Sequence, residues 1–342
     1  MLPLFYVISH YSNLPFRAWE QRKFIEIINR LSKTSNSSIL PKVEYEDIIA
    51  EEGRLNKDIS NKFDSRKGIL FQPKNILYGK LRPYLKNWLY PDFKGVAVGD
   101  FWVFEAIEAT PRFIYNLIQS DSYQKVANDT AGTKMPRSDW TKVSNSSFFI
   151  PKESSEQKRI GTFFKQLDDT IALHQRKLDT LKQMKKGLLQ QMFPKSEEDV
   201  PKIRFADFDE EWYQRKLGEE FEKINERNDG SFGKTHWISV AKMYFVEPNK
   251  VLSNNIDTRT YVMRKGDIAF EGHSNTDFKF GRFVANDIGP GIVSELFPVY
   301  RHKTNYDNNY WKNAIQLEHI MAPIYSKSIT SSGNSSNKLD SK

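Results

Sequence analysis

The residues able to do chemistry in this chain are few, and their spacing excludes most of the reactions they suggest. Gly233-Lys234-Thr235 has the ending of a phosphate loop. The first glycine of G-x-x-x-x-G-K-[ST] would fall on Asn228, however, and no apolar strand precedes it, so a turn is the reading. His10, His174, His236, His273, His302 and His319 are scattered with no pair at helical ligand spacing, which leaves metal chemistry without a nucleus. The absence of cysteine removes disulfides, thiolate zinc sites, iron–sulfur clusters and cysteine nucleophiles together. Asp92-Phe93-Lys94 and Asp277-Phe278-Lys279 have the acidic-x-Lys form of nuclease cores, but neither follows a Pro-Asp at a suitable distance. G-x-S-x-G, D-P-P-Y and G-x-G-x-x-G do not occur. A chain that does no chemistry itself, with no metal and no cofactor, is the expectation.

What remains is a set of basic and aromatic clusters suited to a polyanion. Lys and Arg outnumber Asp and Glu by 51 to 43, a net charge of +8. Tyr78, Lys80, Arg82, Tyr84 and Lys86 fall within nine residues just after a strand-like run, as in a hairpin that tracks phosphates. The competing reading is a solvated basic turn with buried tyrosine rings. Lys134 and Arg137 sit on a Gly/Pro loop that begins at Gly132. In the second half, Gly272 to Thr276 carries Asn275, and Lys279, Arg282 and, further on, Lys338 add cations. Asn pairs with adenine and Arg with guanine, so these are candidate readers of base edges.

The elements that must hold these loops follow from periodicity. A length of 342 residues suggests about two domains at roughly 150 residues each. Between Pro151 and Pro194, Ser154 and Gln157 have the spacing of a capping box, which predicts a helix start. Apolar residues then recur in a four-then-three spacing at Ile160, Phe164, Leu167, Ile171, Leu178, Leu181, Leu188 and Met192, with His174 and Lys185 filling the remaining positions. A helix of about 39 residues, on the order of 58 Å, exceeds what an ordinary core needs. A helix-pairing spacer is expected, with Ile160, Phe164, Leu167, Ile171, His174, Leu178, Leu181 and Leu188 as its subunit-interface residues. Its nine cations against four anions from Glu156 to Lys195 hold +5 of the net charge.

Flanking it, strands are predicted at 76–78, 96–98, 101–104 and 148–150, and again at 262–263, 268–270, 292–293 and 297–300. Helices are predicted at 110–127 and 308–324. Trp19-Glu20-Gln21-Arg22-Lys23-Phe24 matches Trp212-Tyr213-Gln214-Arg215-Lys216-Leu217, and Gly95 through Phe104 matches Gly291 through Tyr300 at nearly the same offset. A duplication explains both. The fold class expected is α+β: two similar mixed domains, 1–151 and 196–342, separated by a coiled-coil-type helix over 152–195. No run of about 18 apolar residues suggests a membrane span, and cysteine-free composition suits the reducing cytoplasm.

The segment Ser155-Glu156-Gln157-Lys158-Arg159-Ile160-Gly161-Thr162-Phe163-Phe164-Lys165-Gln166-Leu167-Asp168-Asp169-Thr170-Ile171 strongly resembles the central helix of the DNA specificity subunit of type I restriction-modification enzymes. Pro201-Lys202-Ile203-Arg204-Phe205, Phe208 and Trp212 are similar to the lead-in of a target recognition domain of that family. The resemblance implies two target recognition domains reading a bipartite, asymmetric site on double-stranded DNA. It also implies methyltransferase subunits docked on the helix and nuclease-translocase subunits joining them, with all catalysis in those partners. Leu14-Pro15-Phe16-Arg17 is a contracted version of the lead-in, and the sequence from Ser331 to Asp340 corresponds to the loop at Gly132, with the second helix of the family expected next. Without that helix, pairing of the spacer helix with a second copy is a further expectation. Two other readings stand beside this one: an interaction scaffold that binds no DNA, and a non-functional remnant of a specificity subunit.

Overall fold

A strand buried along its whole length needs a layer on each face, and Ile76–Gly79 and the first four residues of Phe101–Ala106 are buried throughout. The computed structural model describes residues 19–62, 64–130, 134–194, 198, 200–253, 256, 259–274, 278–331 and 337–339. The chain divides into two compact units, 1–175 and 176–342.

In the first unit the chain runs β1 (Glu20–Lys23), α1 (Phe24–Ile27), β2 (Ile28–Leu31), β3 (Thr34–Ser35), β4 (Lys42–Val43), β5 (Ile48–Ile49) and β6 (Arg54–Leu55). It continues through β7 (Gly68–Phe71), β8 (Ile76–Gly79), β9 (Trp88–Leu89), β10 (Gly95–Ala97), β11 (Phe101–Ala106), α2 (Pro111–Leu117), α3 (Asp121–Ala127), α4 (Trp140–Asn145) and β12 (Ser147–Ile150). One sheet has the order β2-β11-β8-β9 and a second β3-β7-β10-β4. Alternate residues of β8 and β11 enter different cores. Ile76, Tyr78, Trp102 and Phe104 pack with Phe24, Tyr123 and Phe148 on the helical side. Leu77, Phe101 and Val103 pack with Val43 and Phe71 of the second sheet.

The long helix α5 (Ser154–Met192) occupies the span that the heptad pattern predicts. It is followed by α6 (Leu217–Glu220), β13 (Phe221–Ile224), β14 (Ile238–Ser239), β15 (Tyr244–Phe245), β16 (Thr260–Met263), β17 (Ile268–Glu271) and β18 (Arg282–Ala285). Then come β19 (Gly291–Ser294), β20 (Val299–His302), α7 (Asn308–Ala314), α8 (Glu318–Ser328), β21 (Ile329–Ser331) and β22 (Asn337–Leu339). The sheet β13-β20-β17-β18 again splits its side chains. Phe270 and Phe283 face Ile315, Met321 and Tyr325, whereas Ala269 and Val284 face Ile238 and Val293.

The duplication extends to hydrogen-bond register. Ile28 pairs with Ala106, and their counterparts 193 and 196 residues on, Phe221 and His302, pair likewise. Leu77 lies between Val103 and Leu89, as Ala269 lies between Val299 and Val284. Phe71 pairs with Gly95 and Met263 with Gly291, and Ile48 pairs with Leu55 and Ile238 with Phe245. The 3₁₀ turn at Lys234–His236 holds the former phosphate-loop candidate, and the Lys234 ammonium donates to the Val251 carbonyl at 3.2 Å, which makes it a structural turn.

Several local expectations are corrected. The predicted helix 110–127 is broken at Ser120, whose hydroxyl accepts from the Tyr123 amide and caps α3. The helix at 308–324 is likewise two, because Leu317 is extended ahead of α8. The last predicted strand begins at Val299 rather than Phe297, since Pro298 has no amide to give a ladder. The capping box is replaced by a longer reach. Gln157, 3% exposed, accepts from the Thr110 amide at 2.8 Å and donates to the Pro151 carbonyl at 2.9 Å. One turn on, a Cβ at Gly161 would lie 2.9 Å from Arg112 Cγ, so only glycine lets α5 approach α2 this closely. At its other end, Leu189 and Met192 pack with Phe193, Trp212, Ala314 and Leu317.

A charge cluster braces the segment before β5. The fully buried Asp47 carboxylate accepts from the Glu44 amide at 2.9 Å and meets Lys62 at 2.7 Å and Lys57 at 3.0 Å. Burial pushes this carboxyl up, but the Lys62 and Lys57 ammoniums and the amide outweigh burial and hold it below the usual range.

Two outcomes are expected. Gln157→Leu strands a buried amide and a buried carbonyl, each costing about 1–3 kcal/mol. The urea midpoint should fall and hydrogen exchange at the Thr110 amide should quicken; an unchanged midpoint would contradict the bridging role. A carboxyl whose folded pKa lies below its unfolded value near 3.9 stabilises the fold above that value and stops doing so as pH falls through the folded pKa. Urea midpoints from pH 7 to pH 3 should therefore drop below about pH 4, and Asp47→Asn should flatten that acid limb.

Candidate nucleic-acid interface

The loop from Lys80 to Asn87 joins two strands whose side chains are all committed to the interior, and within it Arg82, Tyr84 and Leu85 are the exposed residues. Tyr78 does not belong to it. Its ring is fully buried, 6.1 Å from Trp102 and 5.3 Å from Tyr123, and burial pushes its phenol up to about 12. The alternation that places Ile76 in the helical core places Tyr78 there too, which corrects its assignment as a DNA contact.

The loop is held in a strained shape. Arg82 and Lys86 both adopt left-handed backbone, with φ of 49° and 54°, on either side of a single 3₁₀ turn at Pro83–Leu85. Non-glycine residues in that region cost about 1–3 kcal/mol each and persist only when surroundings enforce them. The enforcement is visible. The Tyr45 hydroxyl accepts from the Leu81 amide at 3.1 Å and donates to the Asp100 carbonyl at 2.6 Å. The Lys80 amide donates to the same carbonyl at 2.9 Å. Pro83 is buried, and the Lys86 ammonium meets Glu51 at 3.2 Å while the Glu51 amide donates to the Lys86 carbonyl at 3.0 Å.

The second basic segment is laid against the first. The Arg82 amide donates to the Pro136 carbonyl at 2.7 Å and the Ser138 amide to the Lys80 carbonyl at 2.8 Å, pairing Leu81 with Arg137. Lys80, Arg82, Lys86, Lys134 and Arg137 are thereby brought onto two adjoining segments, with Arg82 and Lys134 exposed. Asp100 sits between them, its carboxylate 3.5 Å from Lys80 and 3.1 Å from Arg137. Tyr84, Leu85 and Met135 are exposed beside these cations. Such a surface offers phosphate neutralisation, bidentate donors for base edges and apolar contacts together. Gly132 and Thr133 lie outside the described residues.

In the second unit, β17 and β18 are joined by a loop at the same topological place. Its Asn275, and Asp277 beside it, lie outside the described residues. Arg282 is not presented outward: it pairs with Glu271 at 3.0 Å, donates to the Ala241 carbonyl and lies 4.7 Å above the Phe278 ring. That corrects Arg282 from a base reader to a brace. Lys279 is exposed, 5.6 Å from the Phe280 ring. Lys338 is exposed on β22, opposite Thr330, with no described contact to that loop.

On α5 the interface residues divide. Ile160 packs against the core of its own unit, which removes it from a free seam. Leu167 is half-buried, and Phe164, Ile171, His174, Leu178, Leu181 and Leu188 are exposed, Ile171 by 64%. Among the described residues, no group of three His, Cys, Asp or Glu side chains could hold a metal ion, and no helix is long and apolar enough to cross a membrane.

Tyr45, Glu51 and Asp100 escaped the reading of motifs. Gly99-Asp100 carries a turn signal, and Gly99 has φ of 99°, but nothing local links Asp100 to Tyr45 or Arg137.

Among solved structures, the S subunit of a Type-I restriction-modification system from M. genitalium shares this fold, at 11% identity over 92% of this chain and 81% of that chain, with a TM-score of 0.50. The HsdS subunit from Thermoanaerobacter tengcongensis aligns over 93% of this chain and 83% of its own at 18% identity, with a TM-score of 0.41. A chain from a structure concerned with complex assembly and conformational transition of the type I R-M system aligns over the same shares at 18% identity, with a TM-score of 0.49. Comparison with curated proteins gives no match. Residues 18–183, which hold the paired basic segments and most of α5, match the family described as the type I restriction modification DNA specificity domain. Residues 18–183 thus carry the type I restriction modification DNA specificity domain, and the second unit repeats the ladder registers of the first.

Proposed function

We propose that this chain is the DNA specificity subunit of a type I restriction-modification system and reads a bipartite, asymmetric site on double-stranded DNA, residues 1–151 recognising one half and residues 196–342 the other. One observation carries the reading. The two units repeat their ladder registers, yet the loops at the matching place differ in sequence and in how they are braced. Equal scaffolds with unequal loops are what two different half-sites require of one chain. The Lys80–Lys86 and Lys134–Arg137 segments supply the contacts in the first unit, and the β17–β18 loop with Lys279, together with Asn275 and Lys338, those in the second. Residues 152–195 act as the spacer that sets the gap between the halves. Methyltransferase subunits dock on the exposed seam of α5, and nuclease-translocase subunits join them. Methylation, ATP use and cleavage reside in those partners, the chain itself is non-catalytic and cofactor-free, and the complex works in the cytoplasm.

The seam supports a second association. Leaving a large apolar side chain in water forgoes about 1.5–3 kcal/mol, and five seam residues from Phe164 to Leu188 are exposed. A second copy, pairing through this helix with His174 and Lys185 setting register, covers them when no methyltransferase subunit does.

Three measurements test these statements. Co-expression with the cognate methyltransferase subunit and mapping of methylated bases should yield a two-part motif. Exchanging residues 1–151 for another recognition unit should change one half and leave the other half and the gap intact; a change in both halves overturns the modular reading. Arg82→Ala and Lys86→Ala should each weaken binding to all duplexes alike and lower the salt slope by about one. Light scattering should show self-association of the purified chain that Leu167→Lys and Leu178→Lys abolish, and a monomer indifferent to both would remove the seam from assembly.

A further inference from the structure

Two residues outside every basic cluster hold the first unit's reading segments together. Tyr45 spans, through one hydroxyl, the Leu81 amide and the Asp100 carbonyl, residues that are far apart in sequence. The Asp100 carboxylate then stands between the Lys80 ammonium and the Arg137 guanidinium, at 3.5 Å and 3.1 Å. Ring and backbone fit closely here, since a Cβ at Gly79 would meet the Tyr45 ring at 3.0 Å. In the second unit, counting along the matched ladders, the same two positions are Thr235, whose hydroxyl lies 3.0 Å from His236 Nδ1, and Leu296, which has no carboxylate. That unit braces its loop through Arg282 and Glu271 instead.

We propose that Tyr45 and Asp100 are positioning residues for sequence reading by the first unit, an inference that rests on the DNA-reading role given above. Bidentate recognition of a base edge needs a guanidinium fixed in plane and direction. Arg137 has five N–H donors. It gives one nitrogen to Asp100 and remains half-exposed, so donors are left over for a base while the ion pair holds the plane. Without the carboxylate, Arg137 and Lys80 become two neighbouring like charges with nothing to part them. They would swing to the nearest phosphates, where they add affinity for any sequence and discrimination for none. Tyr45 supplies the second restraint by tying the strand end that carries Asp100 to the loop that carries Lys80.

The test uses the chain co-expressed with its methyltransferase subunit. Methylated motifs are mapped for wild type, Asp100→Asn, Asp100→Glu and Tyr45→Phe, and binding of each complex to a duplex with the mapped motif and to a scrambled duplex is measured against salt. Asp100→Asn keeps the carbonyl acceptor and the size but loses the charge. It should cut the preference for the motif about tenfold, the scale of one base contact. Binding to scrambled DNA should stay equal or rise, with the salt slope steeper by about one. Degenerate positions should appear in one half of the motif, and Asp100→Glu should restore part of the preference. Tyr45→Phe should relax the same half without altering the salt slope, because no charge changes. Preference within about twofold of wild type in both Asp100→Asn and Tyr45→Phe overturns the inference. So does relaxation of both halves, or a parallel fall in specific and scrambled binding with a lowered melting temperature, which is the mark of a merely structural role. A wild-type complex that methylates no motif overturns the DNA-reading role itself, a result separate from any of these.

Discussion

Burial of the central strands on both faces is the constraint from which the other features follow. In β8 and β11, and again in β17 and β20, successive side chains enter a helix-covered core and a sheet-covered core in turn. A slip of one residue would send Phe104 and Tyr78 into the layer shaped for Val103 and Leu77, so register is tightly specified. Strands enclosed in this way have no face left for a ligand. Recognition is pushed to the ends of the strands and to the loops between them, and in the first unit that is where the cations gather.

Those loops are rigid by construction. Two left-handed non-glycine residues bracket the tip of the first unit's loop, with Tyr45, Glu51 and the 134–138 segment holding it from three sides. A loop ordered before binding loses less freedom on contact, which favours discrimination over adaptability. The second unit reaches a braced loop by other means, an Arg282–Glu271 pair and a guanidinium over Phe278, with Gly281 at φ 84° where any Cβ would strike the Glu271 carbonyl. The scaffold is repeated while the loop surface is not.

The long helix is joined to each unit by different physics. Near Ser154 it is attached through a buried amide side chain and a glycine contact, both intolerant of substitution. Near Met192 it is attached through aromatic packing of Phe193 with Trp212 and Tyr310, where rings 5–6 Å apart tolerate adjustment. The apolar seam residues between these attachments stay largely in water, so the packing of the two units does not account for their apolar character.

The sequence by itself determined the helix from Ser154 to Met192, the positions of most strands and the fact of duplication. Each of these is written in short-range patterns: a 3.5-residue period between two prolines, apolar runs between turns, and a repeated hexapeptide. It also placed Lys80, Arg82, Lys86, Lys134 and Arg137 on loops, because Gly and Pro punctuate the chain there. Only the tertiary structure decided that Tyr78 points inward, that Gln157 ties α5 to Thr110 rather than capping its own helix, and that Arg282 is a brace. The strand period alone cannot tell which of two buried faces is which, and a buried polar side chain takes whichever unsatisfied backbone group the fold brings near. The Tyr45–Asp100–Arg137 arrangement is the clearest case. Its members are 55 and 37 residues apart, a separation at which no local periodicity carries information, and only the packing of the two sheets brings them within hydrogen-bonding distance.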